Sequence, residues 1–184
     1  MSKNTEKVTL GSGDLYLNAI DVGHLKGDVE LTYELEKVDF KPANMLGTVK
    51  QFIVGESATL KASLAELKAA NIRLAMGLTS AVDDATSFPT YDPSSYTPES
   101  GASFDIVTFG GDKDVLEVPL RFVHTRENGD VIVVVFYAAV TEGGLNLPFH
   151  EADVTLQDVV FKGLADESRT AGDQIGFIAE QTAG

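Results

Sequence analysis

The chain has 184 residues, 43% hydrophobic and 23% charged, a composition that predicts one globular domain and excludes a disordered chain. It contains no cysteine, which rules out disulfides, thiolate metal sites and a cysteine nucleophile together. Acidic residues number 28 against 14 basic ones, a net charge of −14, so the chain lacks the cations that displace counterions from nucleic acid.

From the start, Met1 to Lys7 is polar and has no apolar run of the kind that makes a signal peptide. No later stretch reaches the ~18–20 consecutive apolar residues of a membrane helix, so synthesis and folding in the cytoplasm are expected. Gly11-Ser12-Gly13 reads as a turn, since it lacks the third glycine of a dinucleotide fingerprint and opens no helix. Alternation at period two then begins at Asp28: Val29, Leu31, Tyr33 and Leu35 point one way, and Glu30, Thr32, Glu34 and Glu36 the other. At Glu36-Lys37 the phase slips towards Val38 and Phe40, which predicts a bulge or a strand end. Pro42 and Gly47 mark a turn, and a second strand follows from Val49 to Leu64, interrupted near Gly55. In it Ala58, Leu60, Ala62 and Leu64 share one face, and Thr59, Lys61 and Ser63 the other.

A helix is predicted over Ala65–Met76, with capping-box spacing between Ser63 and Glu66, Gly77 at its end, and Leu67, Ala70 and Leu74 packing on a sheet. From Leu78 to Ser103 the periodicity vanishes. That stretch holds Pro89, Pro93 and Pro98, four acidic residues and no basic one, and reads as a long loop. Tyr91 and Tyr96 within it suggest docking on a partner, because linkers are poor in aromatics. Beyond it, Val115–Arg126 and Asp130–Val140 flank Asn128-Gly129, the signal for a two-residue hairpin. Val131 to Tyr137 is apolar on both faces and requires cover on both. A further strand is predicted over Asp153–Lys162, and no internal repeat or second domain is visible.

Chemistry-bearing motifs are missing. His24, His124 and His150 are isolated, without metal-ligand spacing. Gly55-Glu56-Ser57-Ala58-Thr59 fails the nucleophile-elbow pattern, and Asp112-Lys113-Asp114 starts like a calcium loop that Val115 breaks. The expectation is a protein that is not an enzyme, with no cofactor and no metal, whose work is assembly.

Val8 to Gly77 resembles the tail tube (major tail) proteins of long-tailed bacteriophages. The residues that carry the resemblance are Gly11-Ser12-Gly13-Asp14-Leu15-Tyr16-Leu17, then Asp21-Val22-Gly23 and the acidic strand Gly27 to Phe40, and finally Val54 to Leu64 running into the helix that ends at Gly77. The match is clearest over this first half and weak after Leu78.

The resemblance implies a mainly β fold over residues 1–184, a tail-tube-type β-barrel or sandwich with one flanking helix and a long loop. It implies a virion structural protein in hexameric rings that stack into a tube, each subunit giving strands to a closed inner barrel, which removes exposed edges. On that reading Glu30, Thr32, Glu34, Glu36, Thr59, Lys61 and Ser63 face the lumen, where a mainly acidic wall repels DNA and Lys61 is neutralised by a nearby glutamate. The arm Met1–Leu10 and the loop Leu78–Ser103, with Asp83, Asp84, Tyr91 and Tyr96, would reach other subunits or rings, mobile alone and protected in the tube. Implied partners are further copies of the chain, tail tip or initiator and terminator proteins, and a tape measure protein and then DNA passing through without specific binding; no membrane is implied. Alternatives of similar architecture are tubes of phage-derived bacteriocins and of type VI secretion. Rivals of other classes are a standalone β-sandwich binding module and a small hydrolase using paired carboxylates.

Overall fold

The structure, a computed structural model, describes residues 13–44, 46–66, 68–78, 83–85, 104–111, 113–144, 146–147 and 157–182. Ten strands and one helix are formed among them: β1 (Asp14–Leu17), β2 (Ile20–Asp21), β3 (Glu30–Phe40), β4 (Lys50–Leu64), α1 (Ala69–Ala75), β5 (Asp83–Ala85), β6 (Phe104–Ile106), β7 (Val118–Thr125), β8 (Val131–Glu142), β9 (Gln157–Leu164) and β10 (Gly176–Gln181). The fold is mainly β. One antiparallel sheet runs in the order β2-β1-β7-β8-β9-β4-β3, with β10 also on β8, and β5 and β6 make a separate ribbon.

Period-two burial builds the core. Ala58, Leu60, Ala62 and Leu64 of β4 are buried, as the alternation predicts, beside Val159 and Phe161 of β9 and Val134, Phe136 and Ala139 of β8. Leu15 and Leu17 of β1 and Leu74 and Ala75 of α1 belong to the same cluster. The sheet therefore curls over these side chains without closing into a barrel. Withdrawing a side chain such as Leu60 wholly from water contributes roughly 1.5–3 kcal/mol. His124 is buried in β7, and His150 lies outside the described residues.

Where the phase slip was expected there is a register shift between Glu36 and Lys37, although β3 itself keeps its alternation. The extra residue sits in the partner strand, since Glu36 faces Gly55 and Lys37 faces Ile53, leaving Val54 unpaired. β3 continues to Phe40 instead of ending. Val29 and Leu31 pack against the core, but Tyr33 and Leu35, expected on the buried face, are 55% and 38% exposed. The reason is topological: β9 reaches only Thr59 of β4, so among the described residues the hairpin beyond that point is a two-stranded arm with no third strand.

The helix is shorter than predicted. It starts after Lys68, whose backbone is extended, with no side-chain cap. Ser63 is still strand and donates to Asp158 Oδ1, so the capping box does not form. The Leu25–Leu64 bridge and the bond from Ala65 N–H to the His24 carbonyl hold the chain extended there. The end is as expected. Gly77 has φ 64°, its N–H bonds the Leu74 carbonyl, and Leu78 N–H bonds the Arg73 carbonyl, a Schellman termination. Ala70 is exposed, and the packed face is Asn71, Leu74 and Ala75. Asn71 Nδ2 donates to the Val22 carbonyl at 2.7 Å, tying the helix to the segment after β2. Leu67 lies outside the described residues.

The Asn128-Gly129 hairpin forms with a longer loop than predicted. Arg126 and Asp130 close it through a bond from Arg126 N–H to the Asp130 carbonyl, and Gly129 has φ 86°. A two-residue type I′ turn needs positive φ at both central positions. Asn128 does not supply it, its Oδ1 instead accepting from Asp130 N–H.

β8 carries a bulge where it changes partners. Val118 faces Ala139 while Leu120 faces Phe136, so β8 has an extra residue there. Beyond it Ala138–Glu142 pair with β9, and before it Val131–Phe136 pair with β10. β9 and β10 thus lie along one line, interrupted by loop 165–175 above Tyr137. Sequence periodicity did not predict β10. Of the expected strand over Asp153–Lys162, residues 153–156 lie outside the described residues, and β9 continues to Leu164.

Candidate functional site

Antiparallel partners directly opposite each other share a face. Glu30 faces Lys61, Thr32 faces Thr59, Glu34 faces Ser57 and Glu36 faces Gly55. The seven residues assigned from sequence, Glu30, Thr32, Glu34, Glu36, Thr59, Lys61 and Ser63, therefore lie together on the side of the sheet opposite the core. A side chain at Gly55 would crowd Glu36, its Cβ falling 3.0 Å from Oε2.

The face extends further than the hairpin. Lys61 faces Val160, Thr59 faces Lys162 and Ser63 faces Asp158 on β9, while Val160 and Lys162 face Glu142 and Val140 on β8. Asp158, Lys162 and Glu142 were not singled out in the sequence. Alternation within β9 puts Asp158 and Lys162 opposite Val159 and Phe161, but only the pairing of β9 between β4 and β8 brings them beside the hairpin.

Two lysines stand on this part of the face, one in an ion pair and one opposite a glutamate in the ladder. Lys162 Nζ lies 3.0 Å from Glu142 Oε1, and Lys61 stands across the ladder from Glu30. Glu34, Glu36 and Asp158 add negative charge, so the surface is acidic and hydroxyl-rich. Exposed pairs of this kind add little to stability. Their effect is on the field the surface presents.

Past the bulge the same side of the hairpin turns apolar. Val38 faces Phe52 and Phe40 faces Lys50, with Lys50 Nζ 4.7 Å from the Phe52 ring centre. On the other side Asp39 accepts from Gln51 Nε2 at 2.8 Å and from Thr48 Oγ1 at 3.0 Å. The face of β8 opposite the core, expected to be covered, is half-buried at Val131, Val133 and Val135, where Phe177 and Ala179 of β10 and Val123 of β7 lie alongside.

The residues assigned to the long loop are divided. Asp83 and Asp84 belong to β5, with Asp84 opposite Asp105 of β6, so Leu78–Ser103 is not strand-free as predicted. Three residues are too few to show a period, and aspartate is poor in strands. Tyr91, Tyr96 and the arm Met1–Leu10 lie outside the described residues. Among the described residues no group of three or more His, Asp or Glu is placed to hold a metal ion, and no helix is long and apolar enough to cross a membrane. No protein-family model matches the sequence, and no curated protein matches it.

Proposed function

We propose that the chain is a structural, non-enzymatic subunit of a phage-type tail tube, forming stacked rings of six whose acidic lumen conducts DNA during ejection. The observation that carries this reading is the hairpin β3–β4. It joins a continuous polar face to an arm that, among the described residues of a single copy, nothing covers. A two-stranded hairpin alone is marginal in water, and this one exposes Tyr33, Val38, Phe40, Phe52 and Ile53 to between 46% and 55%. Open edges and apolar patches of this kind are covered by other chains or cause aggregation. Ring closure supplies the cover.

The polar face suits a conduit. Lysines free to meet phosphate would release counterions and hold DNA in place. Here Lys162 is paired with Glu142 and Lys61 stands opposite Glu30 in the ladder, and the remaining charge is negative, so the wall repels the backbone while water and ions fill the gap. On this reading the tape measure protein and then DNA pass through without specific contacts, in a virion tail built from protein made in the host cytoplasm.

Negative-stain microscopy of concentrated purified protein tests the proposal. Rings or hollow tubes are expected. A uniformly monomeric protein, even with a tail initiator added, would overturn it.

A further inference from the structure

We infer that the tip of the β3–β4 arm of one copy inserts into the cleft between β4 and β10 of the next copy, so that the contact is head-to-tail. The inference rests on the self-assembly proposed above and names the two surfaces that meet.

The cleft arises from the topology. β10 continues the line of β9 along β8, but β4 pairs with β9 only from Thr59 to Leu64. The lower part of β4 therefore diverges from β10 and opens a wedge in the sheet. Two adjoining hollows of about 430 and 220 Å³ occupy it, both bounded by Tyr33, Ile175 and Gly176. The smaller one is apolar, with Leu31, Tyr33 and Ala58 on one wall and Phe136, Phe177 and Ile178 on the other. Among the described residues, the edge of β10 away from β8 and the edge of β4 below Thr59 carry no strand. An incoming strand finds both apolar side chains and unpaired backbone there.

The arm tip has the matching chemistry. Val38, Phe40, Leu46, Val49 and Phe52 are each at least 46% exposed. At roughly 100 Å² apiece they offer on the order of 500 Å², more than half of the ~800 Å² each partner gives to a standard interface. Charge matches as well. In a chain of net charge −14 the tip carries Lys37, Lys41 and Lys50 against Asp39. The cleft is bordered by Glu56 and by loop 165–175, which carries Asp166, Glu167 and Asp173 against Arg169. A projection and a socket on different parts of one chain make a heterologous contact, which propagates into a ring or a filament.

Because the chain has no cysteine, mixing two single variants tests this directly. Phe40→Cys and Ile178→Cys proteins of different tag mass are combined under assembling conditions and mildly oxidised. A hybrid disulfide is expected at about tenfold or more the yield given by Phe40→Cys with Ile20→Cys, because docking raises the local thiol concentration. A second arm, Phe40→Asp with Phe52→Asp, is expected to stay folded by circular dichroism yet sediment as a monomer. Tubes without excess hybrid disulfide would overturn the inference and leave the tube proposal standing. Excess hybrid in assemblies that have no lumen would keep the inference and overturn the tube. No assembly and no hybrid would remove both.

Discussion

The Tyr137 hydroxyl donates to Asp173 Oδ1 across the point where β8 exchanges β9 for β10. Arg169 lies 3.5 Å above the same ring and bonds Asp173 through Nη2 at 2.8 Å. The Tyr137 N–H also bonds the Ile175 carbonyl, at 3.1 Å. Loop 165–175, which leaves the line of β9 and returns as β10, is thus pinned to one aromatic residue on the bulge, and the cleft wall it forms has a defined position.

The pH dependence of that pin follows from its charges. The hydrogen bonds from Tyr137 and then Arg169 hold the Asp173 carboxyl below its usual range, and the bond to Asp173 holds the Tyr137 hydroxyl above its own. A lowered carboxylate stabilises above its ordinary value of about 4 and loses that effect as pH falls through the folded value. A raised tyrosine stabilises below about 10 and loses it as pH rises through the folded value. Protection of loop amides 166–175, as the exchange rate relative to the intrinsic rate at each pH, should be greatest between these limits and fall on both sides. In Tyr137→Phe or Asp173→Asn exchange should be faster at neutral pH and the alkaline change should vanish. An unchanged profile would mean that the pair does not hold the loop.

Core truncation should be costly at the centre of the curled sheet. Phe161 is 1% exposed and lies in β9, between the two halves of the sheet. Phe161→Ala should lower unfolding free energy by about 3–5 kcal/mol, through lost transfer energy and a cavity. Urea denaturation of the soluble monomer would measure it. A loss under 1 kcal/mol would mean that this part of the sheet collapses around the gap.

Two glycines separate backbone strain from crowding. Gly77 has φ 64° and a Cβ there would sit 2.5 Å from Thr141 Oγ1, whereas Gly172 has φ 88° and open space around it. Gly172→Ala should cost only the left-handed backbone term, about 1–2 kcal/mol. Gly77→Ala should cost more, because the helix end must move as well. Equal losses in thermal melts would show that Thr141 yields freely.

Charge reversal on the polar face should change what the surface binds, not whether the chain folds. Glu30→Lys with Glu34→Lys alters exposed side chains, so stability should shift by less than about 0.5 kcal/mol. Assembled material should then retain DNA at low salt and release it steeply as salt rises. Filter binding against wild type measures this, and no gain in retention would contradict a lumen-facing position.

Local pattern determined a good part of this structure. The alternation of Ala58, Leu60, Ala62 and Leu64 against Thr59, Lys61 and Ser63 was legible because a strand in a one-sided sheet has period two whatever its neighbours. Glu36-Lys37 marked the place of the register shift, but the extra residue, Val54, is in β4, so β3 keeps its alternation and Val38 and Phe40 come to the side opposite the core. Gly77 marked the helix end because a left-handed residue is needed there. What depended on neighbours was not legible. Ser63 and Glu66 have capping spacing, yet pairing with β9 and with the segment around Leu25 kept Ser63 in the ladder. Tyr33 and Leu35 share the phase of the core, but β9 stops too soon to cover them. Asp158, Lys162 and Glu142 join the polar face only because strands distant in sequence lie side by side. A side chain's direction is set by its own strand, and what it meets there is set by strand order, which no local period encodes.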